Sequence, residues 1–197
     1  MTQLILVRHG ESGWNAEGRL QGDTDVPLSP RGRRQVRQLA GLVSELGPDD
    51  VVASDLLRAR ETAALLGFPH ARVDPAWREA SLGQWTGRFV SELLRDEADG
   101  YGAWRAGLAT PPDGEPWEHL VARIARAVDE LLQGGGRHLV ITHGGPIRAV
   151  CAHVLGLLPG SIVPVSPASV TIIDAEGSPR LRAYNLTPIH APKEAAE

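Results

Sequence analysis

A chain of 197 residues is long enough for one well-filled core and short for two, so it reads as a single domain over 1–197. With 42% hydrophobic and 22% charged residues, and no apolar run near the ~18 residues needed to cross a bilayer, the composition excludes a membrane-embedded protein. The net charge of −4 argues against general nucleic-acid binding, although nineteen of the twenty basic residues are arginines.

The chain enters strand-like sequence almost at Met1, with no basic segment, apolar stretch and small-residue cleavage site before it. No secretory signal is expected, which places the protein in the cytoplasm. A single cysteine, Cys151, rules out an internal disulfide framework and lies in an apolar helix-like run, where a buried structural thiol is expected.

"QLILV" reads as a first strand, followed by a helix from about Pro30 to Leu46. Ser29-Pro30 is a start signal for that helix, and Val36, Leu39, Ala40, Val43 and Leu46 recur at helical spacing. Arg31, Arg33, Arg34 and Arg37 fall on another face and read as solvated. "DDVVAS" then reads as a strand and "DLLRARETAALLG" as a helix, an alternation that predicts βαβ units and a parallel sheet. Between Leu94 and Trp117 the pattern weakens into Asp, Gly, Ala and Pro with Tyr101, Trp104 and Arg105 interspersed. A loop or short helices over the sheet edge are expected there, a candidate lid at about 94–117. A periodic helix follows from about Glu115 to Leu132, stopped by Gly134 to Gly136. "HLVITH" is the next strand, Pro146 suits the first turn of a helix to about Gly156, and "SVTIIDA" and "PRLRAYNL" read as late strands at the sheet edge. Residues 191–197 read as a frayed tail. The predicted class is therefore α/β, a three-layer α/β/α sandwich around a mostly parallel sheet.

In an open parallel sheet, ligands bind beyond the carboxyl ends of the strands. The residues at those places are Arg8 and His9 after the first strand, Arg58 in the first turn after "VVAS", Glu79 after "ARVDPAW", and His143 before Gly144 and Gly145. Two histidines, two arginines and one carboxylate mismatch the common metal sites, because an arginine brings positive charge where a cation would sit. The set calls for an anion instead. Guanidinium groups match phosphoryl oxygens two at a time, and helix N-termini after Ala53 and His143 would add backbone donors. His138, five residues before His143, would face the other side of its strand, and His70, His119, His153 and His190 match no motif. No G-x-x-x-x-G-K occurs, so a nucleotide-binding fold is not expected.

"LVRHGESGWNAEGRLQGDTDVPLSPRGRRQ", "SDLLRARETA", "REASLGQWTG" and "ITHGGPIR", in that order, resemble the four signature segments of the histidine phosphatase superfamily, which also contains the cofactor-dependent phosphoglycerate mutases. The resemblance implies a phosphoglycerate mutase-like fold. It implies that His9 accepts the phosphoryl group while Arg8, Arg58 and His143 hold it, and that Glu79 is the proton donor to the leaving oxygen. It also brings Asn15 into the phosphate pocket, with Ser12, Gln21 and Gly144 as neighbours. Where the family often has a serine after "PPDGE", this chain has Pro116 and Trp117, so no contact from that loop is carried over.

The function implied is a metal-independent phosphatase acting on small phosphomonoesters through a phosphohistidine, with a small phosphorylated metabolite as partner, inorganic phosphate as product and no cofactor. The nearest rival is a phosphoglycerate mutase, which returns the phosphoryl group to a sugar acid. Such mutases are longer and more basic over the site, where 94–117 offers only Arg95 and Arg105. A phospho-ligand binding module without catalysis is the remote alternative; binding alone would not require a placed acid. Nothing in the sequence sets an oligomeric state.

Overall fold

The computed structural model describes residues 2–187; His190 and the tail expected at 191–197 lie outside them. Strand β1 (Gln3–Arg8) leads through a short helix α1 (Gly13–Glu17) to α2 (Pro30–Leu46). The start of α2 is written locally. Ser29 accepts a hydrogen bond from the Gly32 amide, Pro30 occupies the first turn, and Gly47 ends the helix with left-handed backbone at φ 56°. Its apolar stripe of Val36, Leu39 and Val43 is buried, while Arg31, Arg34 and Arg37 are exposed and Arg33 pairs with Glu61 at 2.7 Å.

Next come β2 (Asp50–Ala53), α3 (Leu57–Leu65) and the two-residue strand β3 (Arg72–Val73). The 94–117 region opens with α4 (Val90–Asp96) and α5 (Ala98–Arg105), then α6 (Trp117–Gln133), β4 (Arg137–Thr142), α7 (Gly144–Leu155), β5 (Val170–Asp174) and β6 (Arg180–Leu186) complete the order.

The six strands form one sheet ordered β3-β2-β4-β1-β5-β6. β1 runs parallel to β4, β4 to β2 and β2 to β3. β5 is antiparallel to β1 and β6 antiparallel to β5. Of the two late strands only β6 is an edge; β5 is covered on both sides. Its residues Val170 to Ile173 are buried throughout, the pattern of an inner strand.

Alternation along β1 divides the core. Leu4 and Leu6 pack with Leu120, Ile124 and Val128 of α6 and Ile147 and Val150 of α7. Ile5 and Val7 face the other way, onto Val36, Leu39 and Val43 of α2 and Ala59 and Ala63 of α3. The result is the expected three-layer α/β/α sandwich. Cys151 is buried in the first of these layers, and burial raises its thiol to about 11.

One close approach sets how α2 meets the first turn. A Cβ on Gly32 would overlap the Glu11 carbonyl oxygen, and one on Gly10 would lie 2.7 Å from the Gly32 oxygen. Both glycines are needed for the turn carrying His9 to sit against the helix. The α4–α5 segment is held by a separate small cluster, Leu82, Trp85 and Leu93 with Leu20, Tyr101 and Trp104, and not by the sheet edge expected from the sequence. Among the described residues, no helix is long and apolar enough to cross a membrane.

Candidate active site

The turn after β1 and the first turns after β2 and β4 bring His9, Arg58 and His143 together. Arg58 Nε lies 3.2 Å from His9 Nε2 and 3.2 Å from His143 Nδ1, and its Nη atoms donate to the Thr24 and Gly22 carbonyls at 2.7 Å. Arg58 is fully buried, and burial pushes its pKa down to about 10.

The tautomers follow from partners that can act only one way. His9 Nδ1 is 2.6 Å from the Gly10 carbonyl, which only accepts, so Nδ1 carries the proton and Nε2 keeps its lone pair. His143 Nδ1 faces the Arg58 N–H, so His143 donates from Nε2 to Ser54 Oγ at 2.8 Å. Burial, then the Arg58 and Arg8 charges, hold His9 well below the ordinary histidine pKa, against the Gly10 bond that favours the imidazolium. Burial and then Arg58 do the same to His143.

A cleft opens beside this cluster, lined in part by Arg8, Asn15, Gln21, Glu79 and Gly144. His9 and His143 are buried next in the chain to Arg8 and Gly144. Arg8 donates from Nη1 to the Val165 carbonyl, while its buried Nε has no partner among the described residues. Glu79 is fixed by two amides, accepting from Ala80 at 2.9 Å and from Gly145 at 3.1 Å. A Cβ on Gly145 would collide with that carboxylate.

Two sequence expectations are corrected here. The start of α3 does not offer its amides to the cleft: Leu56 N–H donates to Ser54 Oγ at 3.3 Å and Leu57 N–H to Asp25. At α7, the Gly145 amide serves Glu79. Ser12 is the second correction. It is fully buried, with its hydroxyl donating to Gln21 at 2.8 Å and accepting from the Asn15 amide at 3.1 Å, so its hydroxyl proton is already spent and it positions those two neighbours. Gln21 Nε2 donates to Asn15 Oδ1 at 3.3 Å, as does the Ser12 amide at 3.2 Å. Both bonds turn the Asn15 oxygen inward and leave its amide nitrogen, the donor an anion requires, unpaired among the described residues.

Sequence reasoning missed Ser54, which lies in a quoted motif without an assigned role, and Arg148, five residues after His143 on α7. Arg148 lines the cleft with Trp104, Arg105, Trp117 and Tyr184. Arg95, the other arginine of 94–117, is exposed and paired with Asp96 at 2.7 Å. His138 sits buried at the far end of β4, 3.6 Å from Asp50, and contributes nothing to the cluster. Among the described residues no group of three or more His, Cys, Asp or Glu is placed to hold a metal ion. What the arrangement can do is bind a tetrahedral anion between guanidinium groups and present an unprotonated ring nitrogen to it.

A family model described as the histidine phosphatase superfamily (branch 1) matches residues 4–187. The chain belongs to this superfamily. Among its histidine phosphatase relatives, the probable phosphoglycerate mutase GpmB of Enterobacter sp. is 37% identical over 168 residues, which cover 80% of this chain and 76% of the relative. A mycobacterial glucosyl-3-phosphoglycerate phosphatase, solved with VO3, is 30% identical with TM-score 0.87 over 95% of this chain and 100% of that one. The phosphoserine phosphatase of Entamoeba histolytica, solved with 3-phosphoglyceric acid, is 27% identical with TM-score 0.82 over 95% of this chain and 98% of that one. The superfamily is one of enzymes with both names among its members, and the solved phosphatases share the scaffold found here.

Proposed function

We propose that the protein is a metal-independent phosphatase that hydrolyses small phosphomonoesters through a phosphohistidine on His9. The observation that carries this reading is the unprotonated His9 Nε2, held 3.2 Å from the Arg58 Nε–H by the 2.6 Å bond from its other nitrogen to Gly10. Its lone pair attacks phosphorus as the ester P–O bond breaks, with Arg8, Arg58 and Asn15 on the phosphoryl oxygens, His143 beside them accepting from the Arg58 Nε–H, and Gly144 at the edge of the cradle. Glu79 gives a proton to the leaving oxygen. Water then attacks the phosphohistidine, losing a proton to the Glu79 carboxylate, and inorganic phosphate leaves with His9 restored. Arginine charge stabilises the transferring oxygens where other phosphatases use a cation. On this reading residues 1–197 act as one catalytic unit and 94–117 as its lid.

The relative named phosphoglycerate mutase favours a second reading, transfer from His9 to a sugar acid in place of water. The deciding experiment measures phosphate release from a panel of phosphorylated metabolites alongside interconversion of 3- and 2-phosphoglycerate primed with the bisphosphate. Phosphate release that disappears in His9→Ala, together with its acid-labile phosphoenzyme, is expected. Isomerisation outrunning hydrolysis would replace this reading with the mutase.

A further inference from the structure

Gln35 on α2 and Thr62 on α3 both hold the backbone beside His9. The Glu11 N–H donates to Gln35 Oε1 at 3.1 Å, and the Gly10 N–H donates to Thr62 Oγ1 at 3.2 Å. A backbone amide only donates, so the Gln35 atom that faces it is the oxygen. The Thr62 hydroxyl spends its own proton on the Arg58 carbonyl at 2.7 Å, one turn earlier in the same helix, and is left as an acceptor for Gly10. Thr62 and Gly10 are buried, and Gln35 is partly buried. The two peptides that flank Gly10 are therefore pinned from two different helices.

The second of these peptides decides which nitrogen of His9 is free. In a trans peptide the N–H and the C=O point in opposite directions. With the Glu11 N–H turned to Gln35, the Gly10 carbonyl of the same peptide is turned to His9 Nδ1, 2.6 Å away. Gly10 has no Cβ to restrict the rotation of that plane, so its orientation rests on what each end is bonded to. Half a turn would place the Glu11 N–H, a donor, in front of Nδ1. That nitrogen would then have to accept, and the ring proton would move to Nε2, where it would oppose the Arg58 Nε–H now 3.2 Å away. The lone pair that attacks phosphorus would be gone.

We propose that Gln35, supported by Thr62, is a positioning residue for the nucleophile: it keeps the Gly10–Glu11 peptide turned so that the Gly10 carbonyl accepts from His9 Nδ1 and Nε2 stays free to attack. The proposal rests on the phosphohistidine reading and adds to it the side chains that set the tautomer. Neither residue touches the substrate in this scheme; each acts through the backbone of Gly10.

The test reads the His9 tautomer directly, by nitrogen NMR of histidine-labelled protein in phosphate-free buffer near neutral pH, alongside single-turnover phosphoenzyme formation from p-nitrophenyl phosphate. In the wild type His9 should carry its proton on Nδ1. In Gln35→Leu, which removes the acceptor of the Glu11 N–H, part of that proton should appear on Nε2, and kcat should fall by about tenfold with KM within about twofold. Gln35→Glu, which restores an accepting oxygen, should recover part of both. Thr62→Val should act in the same direction and Thr62→Ser should reverse it. A folded Gln35→Leu with the wild-type tautomer, or with wild-type kcat, overturns the proposal. Should Gln35→Leu fail to fold, Gln35→Asn, which withdraws the oxygen by one methylene and keeps its polarity, is read in the same way. The two failures are distinct: a wild-type protein that forms no phosphoenzyme sinks the phosphohistidine reading, whereas a phosphoenzyme whose formation and His9 tautomer ignore Gln35 sinks the positioning role alone.

Discussion

Gly145 donates its amide to Glu79 Oε2 at 3.1 Å, and the space where a Gly145 side chain would begin is filled by the same carboxylate. The glycine is therefore the seat of the proposed acid. Gly145→Ala should displace Glu79 and, like Glu79→Gln, lower turnover of alkyl phosphates by about a hundredfold while affecting an aryl phosphate, whose phenolate leaves unaided, much less. Single-turnover phosphoenzyme formation is the measurement, since it isolates the step that uses the acid. An unchanged alkyl-to-aryl ratio in both variants removes Glu79 from that role.

Ser54 accepts from His143 at 2.8 Å and thereby fixes which ring nitrogen faces Arg58. Ser54→Ala leaves that buried N–H without an acceptor and frees the ring. A fall in kcat of about tenfold or more is expected, with a shifted pH profile. Ser54→Thr, which keeps the hydroxyl, should recover part of the loss. Equal kcat and an identical pH profile in Ser54→Ala would show that His143 needs no such support.

The lowered pKa values of His9 and His143 carry a sign that can be worked through. In the unfolded chain both titrate near about 6.5; in the folded protein they titrate well below it. Between those values the unfolded state binds more protons, so stability rises with pH and is lost on acidification. The thermal midpoint in phosphate-free buffer should therefore fall from pH 7 to pH 5, a window above the ordinary carboxylate value of 3.8, where the paired Asp55 and Asp174 titrate lower still. The double variant His9→Gln, His143→Gln should show a shallower slope. A slope identical to wild type would mean that these rings are not the source.

Phosphate is held by arginines in the proposed mechanism, so thorough chelation should leave activity unchanged, and vanadate should compete with substrate. The vanadate complex of the mycobacterial relative makes this a natural probe. Loss on chelation that added zinc or magnesium restores would require a different mechanism.

Helix α2 holds an internal control for packing. Gly32→Ala places a methyl group on the Glu11 carbonyl oxygen, whereas a Cβ at Gly41 meets nothing within 4 Å. Denaturant melts should show Gly32→Ala losing about 2 kcal/mol or more, and Gly41→Ala gaining about 0.5–1 kcal/mol from helix propensity. Similar effects at the two sites would contradict the close contact.

Much of the fold was legible because its instructions are local. Ser29, Pro30 and Gly47 bound α2 by capping chemistry that acts over three or four residues, and the spacing of Val36, Leu39 and Val43 names the buried face. The unbroken apolar run in "QLILVR" is the pattern of a strand buried on both sides. The grouping of His9, Arg58 and His143 at one place was legible for the same kind of reason, because a parallel sheet delivers the ends of its strands to one rim.

Tertiary structure decided the rest. Whether β5 pairs parallel or antiparallel, and whether it is an edge, depends on which strand lies beside it, and its partner β1 is far away in the chain. The roles of ring nitrogens and hydroxyls depend on contacts just as remote. Arg58 meets His9 across 49 residues and His143 across 85, Ser54 meets His143 across 89, and Arg148 reaches the Arg105 carbonyl across 43. A sequence states which groups are present and where the helices start. Which lone pair is free and which amide is already spent are set by burial and by partners that only the folded chain brings within hydrogen-bonding distance.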